Sequence, residues 1–549
     1  MSSEISWDKL QEPCRLTVDM TVPEALNLAD WDIWAELLIA QGAWTPDQDE
    51  PLGLSSLQEA HRPFINVFLR VSRWLLELAR LPVFSQARVL SFAPQDPEGR
   101  SDQLVFELPV IDLMPQIAYE TAVRVARDIC QWMAYQAPNT KNSLTVFEAL
   151  DKHVIQALMS VVPAGKSTIP VLKVAHAMGI PFMHLGLGVY QLGWGARSRR
   201  LDRSTTERDS AIGSKLAQNK VATANLLRCA GLPAPTHGVV LKEADALQVA
   251  AQLGYPLVVK PLDRDRGEGV SVGIVDEASL KVAFVQAQAL AHSKQVIIEK
   301  QVPGVCHRLF IAGGHLLYAV QRLPMSVQGD GQRTVQQLVD EEVGMQALRP
   351  SWLRSGIRAL DDLADQCLAR VGLHRDSIPG PGVHVPLRPI ESTAWGGVDI
   401  EVTQTLHPEN IAAAIQAAQL FGLDVAGVDI ISADISQPWH ANGAIINEVN
   451  FAPLLGGGEI SKSHLPRFLS DFMPGQGRIP IQLFASEAAA MQAQTESIER
   501  GMLCFFTSAD TTLSPAGKTI VMPLNTLEQR LKALIGRADV EAIVLYQAA

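Results

Sequence analysis

Cysteine is sparse and scattered in this chain. The six cysteines, at 14, 130, 229, 306, 367 and 504, form no CxxC pair. Neither a zinc site nor a thioredoxin-type redox centre is implied, and the usage fits a reducing compartment. Long apolar runs are missing too, none reaching the ~18 residues of a membrane span. The opening MSSEISWDKL lacks the basic and apolar regions of a secretory leader. No membrane association and a cytoplasmic location are therefore expected. Positive charge is in short supply: 46 Lys and Arg against 58 Asp and Glu leave a net charge of −12. A nucleic-acid binder carries a basic face, so no nucleic-acid partner is expected. One strip is basic, Arg197, Arg199, Arg200, Arg203 and Arg208; it reads either as a solvated, partly paired surface or as a ligand contact. What is plentiful is apolar side chain, 47% of 549 residues, enough for about three or four folding units of an α/β protein.

Along the chain, 88–92 and 103–111 read as strands and 119–135 as an amphipathic helix. Residues 166–178 read as a helix and 180–186 as a buried strand. The run Ala164-Gly165-Lys166-Ser167-Thr168 resembles the end of a phosphate loop, but the required glycine five residues before Gly165 is Ser160. Residues 210–235 read as one long helix stopped by Gly231, Pro233 and Pro235. A strand is expected at 255–261, a strand then a turn over 296–304, a hairpin over 307–323 turning at Gly313-Gly314, a helix at 411–423, and paired strands at 427–435 and 444–453. His61 and His153 stand alone and read as structural. After about 476 the composition changes, and a strand at 477–485 leads into an Ala/Gln/Glu-rich helix.

Candidate chemistry centres on Asp429, Glu448 and Asn450. Residues i and i+2 of a strand share a face, so Glu448 and Asn450 project together. Asp429 sits in the apolar strand GVDII, where an unpaired carboxylate is costly. Two carboxylates and an amide oxygen suit Mg²⁺ on phosphates; a buried polar network is the alternative. Lys260 ends the apolar strand LVVK and Lys220 lies in the preceding helix, two cations suited to phosphates. Gly267 and Gly269, with Arg266 and Glu268, make a loop whose backbone can approach a triphosphate.

The order Lys220, VVKP with Lys260, the glycine loop, IIEK with Glu299, GVD with Asp429 and NEVN with Glu448 and Asn450 resembles an ATP-grasp domain. More narrowly, VYQLGWGARSRRLDRSTTERDSAIG (189–213), VQGDGQRTVQQLV (327–339), LHPENIAAA (406–414) and FGLDVAGVDII (421–431) resemble cyanophycin synthetase. The resemblance is strong over 160–475. It implies a multidomain α/β (α+β) chain: a mixed N-terminal domain at 1–162, an ATP-grasp domain at 163–475, and a small Mur-ligase-like remnant at 476–549. It implies ATP and Mg²⁺ (two ions), with Lys220 and Lys260 on the phosphates, Gly267 and Gly269 over them, and Glu299 and the backbone after it at the adenine edge. Asp429, Glu448 and Asn450 would hold the metal. Arg308 and Arg388 would stabilise an acyl phosphate or bind a peptide carboxylate, a surface ion pair being the alternative for each. The implied partners are an amino acid and a carboxylate or peptide acceptor, with a homo-oligomer (dimer or tetramer) as the default.

Three departures stand out. The acidic residue that holds the ribose hydroxyls in the family is here Cys306, with His307 as the substitute contact. The loop after Arg388 has Ser392 and Ala394 where the family carries Asn and Ser before the paired glycines, so the amino-acid substrate is expected to differ. GRIPI (477–481) is followed by QLFASEAAAMQ instead of a glycine-rich phosphate loop, so 476–549 is expected to be incompetent for ATP. The expectation is an ATP-dependent acid–amino-acid ligase making one kind of amide bond. The alternative is an accessory subunit of a full-length cyanophycin synthetase.

Overall fold

A computed structural model describes residues 3–4, 12–23, 25–45, 50–94, 102–163, 165–264, 267–391 and 396–548. Arg266, Ser392 and Ala394, named above, lie outside these. The chain is mixed α/β, with helices and six sheets among the described residues. Its contacts gather into two units: Met1–Glu207 with Pro350–Trp352 and Leu454–Ala549, and Arg208–Arg349 with Leu353–Pro453. Residues 163–207 and 454–475, assigned to the middle domain from sequence, fall in the first unit. So does 476–549. The strand Ser3–Glu4 pairs with Ile481–Phe484, and the backbone N–H of Leu455 donates to the Ser167 hydroxyl at 3.1 Å.

In the second unit a four-stranded antiparallel sheet is built from β1 (His237–Val240), β2 (Leu257–Pro261), β3 (Ser271–Ile274) and β4 (Val296–Lys300), in the order β3-β2-β4-β1. The same unit holds helices α1 (Lys220–Cys229), whose Leu227 joins the core of the sheet described next, α2 (Glu243–Leu253) and α3 (Glu277–Leu290). The last two share a core with Leu257, Val259, Val296 and Ile298. A five-stranded antiparallel sheet follows: β5 (Val305–Ala312), β6 (His315–Leu323), β7 (Val398–Glu401), β8 (Val425–Ser432) and β9 (Ile445–Phe451), ordered β7-β6-β5-β8-β9. Helix α4 (Pro408–Leu420) lays Ala413, Ala414, Ala417 and Ala418 on one face of this sheet, against Leu309, Ile311, Ala319, Val428, Ile430 and Val449. Alanines at i, i+1, i+4 and i+5 let the helix approach closely, and each buried Leu, Ile or Val contributes about 1.5–3 kcal/mol. That face is therefore sealed, and Arg308, Asp429 and Glu448 of the same strands use the other. The long helix expected over 210–235 is two helices. Asn219 breaks it, its side chain accepting from the Ala222 N–H at 2.9 Å as a new N-cap. Lys220 becomes the first residue of α1 rather than a mid-helix position.

In the first unit, Glu12–Met20, Asp102–Val110 and Arg88–Pro94 form an antiparallel sheet with Asp102–Val110 in the middle. Helix Gln116–Met133 covers much of the expected 119–135 helix. The C-terminal part is a small α/β layer in which Ile481–Phe484, Ala542–Tyr546 and Cys504–Thr507 run parallel. Where a phosphate loop would enter a helix, Ser486 caps Glu487–Glu499 through the Ala489 N–H at 3.4 Å, and Glu487 occupies the first turn. A capped helix start carrying a carboxylate repels phosphate. In the basic strip, Arg197 donates to the Arg478 carbonyl at 2.7 Å, and Arg203 lies 3.9 Å from Asp202. No helix among the described residues is long and apolar enough to cross a membrane.

Candidate active site

Register decides which side chains meet. Asp429 on β8 lies opposite Arg308 on β5 and opposite Glu448 on β9. Partners across a ladder share a face, and so do residues two apart. Cys306, Arg308, Asp429, Glu448 and Asn450 therefore line the face that α4 leaves uncovered. Arg308 grips Asp429 in a fork, Nε to Oδ1 at 2.7 Å and Nη2 to Oδ2 at 2.7 Å. Asn450 turns its amide N–H to the Gly427 carbonyl at 3.2 Å and to Asp429 at 3.3 Å, which leaves its Oδ1 without a donor among the described residues. The Glu448 carboxyl likewise has no hydrogen-bond partner among them. Burial and the Asp429 charge raise its pKa, while Lys260, Lys220 and Arg308 pull it back. Three of the expected cations thus surround the two expected carboxylates.

Lys220 reaches back from the start of α1 to donate to the Arg264 carbonyl at 2.5 Å. Lys260 and Glu299 form a buried ion pair at 2.8 Å with side chains 8% and 9% exposed, so the Glu299 carboxylate is engaged with a phosphate-binding candidate. Gly267 and Gly269 both have left-handed backbone, φ +78° and +73°. A Cβ on Gly267 would meet Ile390 at 2.8 Å, and one on Gly269 would meet the Pro261 ring at 2.8 Å and Leu290 at 2.9 Å. Gly269→Ala is expected to cost about 1–3 kcal/mol from strain and crowding together, read as a lower urea midpoint with unchanged slope.

Two expected residues are not brought to this face. His307 alternates with Cys306 and Arg308 and points to the opposite, sealed side. There it is 4% exposed, and burial lowers its pKa, so it cannot stand in beside Cys306. Cys306 itself faces the site, its thiol held protonated by burial and by the Asp429 charge. Arg388 is tied to Asp361, Nη1 to Oδ1 at 3.1 Å and Nη2 to Oδ2 at 2.9 Å, next to the small sheet of Ser326–Gln328 and His384–Pro386.

The structure adds residues that sequence reasoning missed. Arg322 on β6 comes within 3.7 Å of Asp429 and 4.0 Å of Asp399 on β7. Glu391 is close enough to feel Arg322 and Asp429, and burial raises its carboxyl. The sequence signal was the hairpin over 307–323, once its register is known.

The site's donors fit a hard divalent cation: two carboxylates and an amide oxygen, with phosphate oxygens and water to complete the shell. No group of three or more His, Cys, Asp or Glu side chains able to hold a metal occurs among the described residues, so protein ligands alone do not make a closed cage.

Comparison with known proteins defines the class first. Residues 216–308 match the family described as carbamoyl-phosphate synthase L chain, ATP binding domain. The chain is 32% identical over 349 residues to cyanophycin synthetase of Trichormus variabilis, covering 63% of this chain and 38% of that protein. It is 32% identical over 267 residues to a bifunctional glutathione biosynthesis protein of Mannheimia succiniciproducens, covering 46% and 34%. A bifunctional glutathione synthetase structure from Pasteurella multocida overlays 67% of this chain and 64% of its own, at 19% identity and a TM-score of 0.44. Residues 216–308 thus match an ATP-binding domain family, and the chain is similar to cyanophycin synthetase and to a bifunctional glutathione biosynthesis protein over part of their lengths. The chain spans 38% of the length of the first of these relatives.

Proposed function

We propose that this protein is an ATP-dependent carboxylate–amine ligase that forms an amide bond through an acyl phosphate. One observation carries the reading: Glu448, without a hydrogen bond, lies opposite Asp429 and among Lys220, Lys260 and Arg308. A buried carboxyl without a partner, set beside a second carboxylate, is a poor resting structure and, with three cations in reach, a good site for a metal-bound polyphosphate. In the first step a substrate carboxylate oxygen attacks the γ-phosphorus of ATP and ADP leaves. In the second an amine attacks the acyl carbon, the C–O bond breaks with phosphate leaving on its electron pair, and the nitrogen gives up a proton. Lys220 and Lys260 hold phosphate oxygens, and Arg308 stabilises charge on the acyl phosphate. Asp429, Glu448 and Asn450 would hold Mg²⁺, which when bound neutralises charge on the transferring phosphoryl group.

The acceptor is an amino acid or a short, aspartate-type peptide. We read 476–549 as unable to bind nucleotide, because the capped helix start with Glu487 replaces a phosphate cradle, so the chain makes one kind of bond. The neutral Cys306 thiol at the expected ribose contact favours the second reading, a weakly catalytic partner of a full-length synthetase.

Purified protein given Mg-ATP with a panel of amino acids and short acidic peptides is expected to release ADP and yield a condensed product by mass. Calorimetry is expected to show one nucleotide per chain. Turnover that persists in Glu448→Ala, or that is absent across the panel, would sink the ligase reading.

A further inference from the structure

Three arginines lie in or near the site, and they are not equivalent. Arg308 is forked onto Asp429, and Arg388 onto Asp361. Arg322 has a side chain 14% exposed, yet its ion pairs are long, 3.7 and 4.0 Å. It donates no hydrogen bond among the described residues. A half-sheltered guanidinium with five donors and no close acceptor is a costly way to build a sheet.

Its placement is the work of a β-bulge. Ala312 pairs with His315 and Ile311 with Leu316, but Phe310 pairs with Tyr318, Arg308 with Val320 and His307 with Gln321. The extra residue in β6 shifts the alternation by one and turns Arg322 onto the face of Arg308 and Asp429. Bulges re-aim side chains in this way next to active sites. One strand further out, Asp399 lies opposite Arg322, and the Glu391 carboxyl is near enough to feel the same guanidinium. Ile390, beside it, packs against Gly267, which sets this segment against the glycine loop.

We infer that Arg322 and Asp399 form the subsite for the amine-bearing substrate and that this substrate is an α-amino acid, or a peptide terminus with a neighbouring carboxylate. This rests on the ligase reading. Arg322 takes the carboxylate that does not react, and Asp399, with Glu391 near it, takes the ammonium. A zwitterion supplies both charges in the complementary order. The strand order β7-β6-β5-β8-β9 places this subsite beyond Arg308 on the side away from Glu448, so the acyl phosphate assigned to Arg308 would lie between the metal ligands and the amine.

The test uses free L-amino acids and the matching amino-acid amides, in which the carboxylate is a neutral carboxamide. ADP release is measured with Mg-ATP for wild type, Arg322→Ala, Arg322→Lys and Asp399→Asn. Wild type is expected to prefer the acid over the amide. Arg322→Ala is expected to raise KM for the acid by roughly 10- to 100-fold, leave KM for ATP unchanged and erase the preference. Lysine restores part of it, and Asp399→Asn raises KM for acid and amide alike. An acid-over-amide preference that survives in Arg322→Ala overturns the subsite while leaving the ligase reading intact. Mg-ATP binding by calorimetry separates the two: a wild type that binds none overturns both.

Discussion

A Glu448→Gln protein is expected to melt above the wild type and to lose nucleotide turnover by about 10²–10³-fold. The two effects have one cause. Burial and Asp429 raise the Glu448 carboxyl in the folded protein. A carboxyl whose folded pKa lies above its unfolded one favours folding while it is protonated. That contribution is complete below the unfolded pKa and is lost as pH rises through the folded one. At neutral pH the ionised side chain therefore opposes its neighbour across the ladder. Glutamine keeps the shape and removes the charge, for a gain of about 0.5–2 kcal/mol. The same change removes an anionic oxygen ligand and with it the attraction for metal-bound phosphate. Mg-ATP should raise the melting temperature of wild type and leave the variant nearly where it was, because only a ligand that binds the folded state stabilises it. Calorimetry with and without Mg-ATP checks the first half and ADP release the second. A variant that melts lower and turns over normally would remove Glu448 from the site.

What the sequence disclosed was what local periodicity encodes. Glu448 and Asn450 are two apart in a strand, and two apart means one face, so their joint projection needed no partner. The pairing of the GVDII and NEVN strands followed from two apolar runs joined by a short connection. The limits lay where register or distant pairing decides. His307 follows Cys306, and placing both at one contact ignored the alternation that sends His307 into the sealed face. Arg322 was invisible for the opposite reason: regular pairing out from Gly313-Gly314 would have turned it away from Arg308, and one bulged residue turns it back. No local pattern announces that bulge. Arg388 resembled a substrate contact, but its acceptor, Asp361, is 27 residues earlier, and ion pairs between segments leave no periodic trace. The break at Asn219 was readable in principle, since an Asn before a helical run is an N-cap signal. A strong apolar pattern running through it concealed the stop. The pairing of Ser3–Glu4 with Ile481–Phe484 was also out of reach, because it joins residues nearly five hundred apart.

Glu299→Ala is expected to be the most destabilising single change in the site, at about 3–5 kcal/mol. Glu299 and Lys260 are less than a tenth exposed and 2.8 Å apart. Removing the carboxylate strands an ammonium beside Ile297, its neighbour across the ladder and only 1% exposed. Removing both charges should be far milder. Lys260→Met with Glu299→Leu keeps volume and leaves no buried ion, and such replacements are often neutral or better. A double-mutant cycle by urea denaturation measures the coupling, since each single change breaks the same contact. The functional result should run the other way. Lys260 is felt by Glu448, so its ammonium serves two partners, Glu299 behind it and nucleotide phosphate in front. The stable double variant should therefore bind Mg-ATP as poorly as Lys260→Met alone. Recovery of stability without recovery of binding assigns the lysine to the nucleotide and the glutamate to holding the lysine in place. A Glu299→Ala protein as stable as wild type would show that water already reaches the pair. Binding restored in the double variant would show that neither residue touches phosphate.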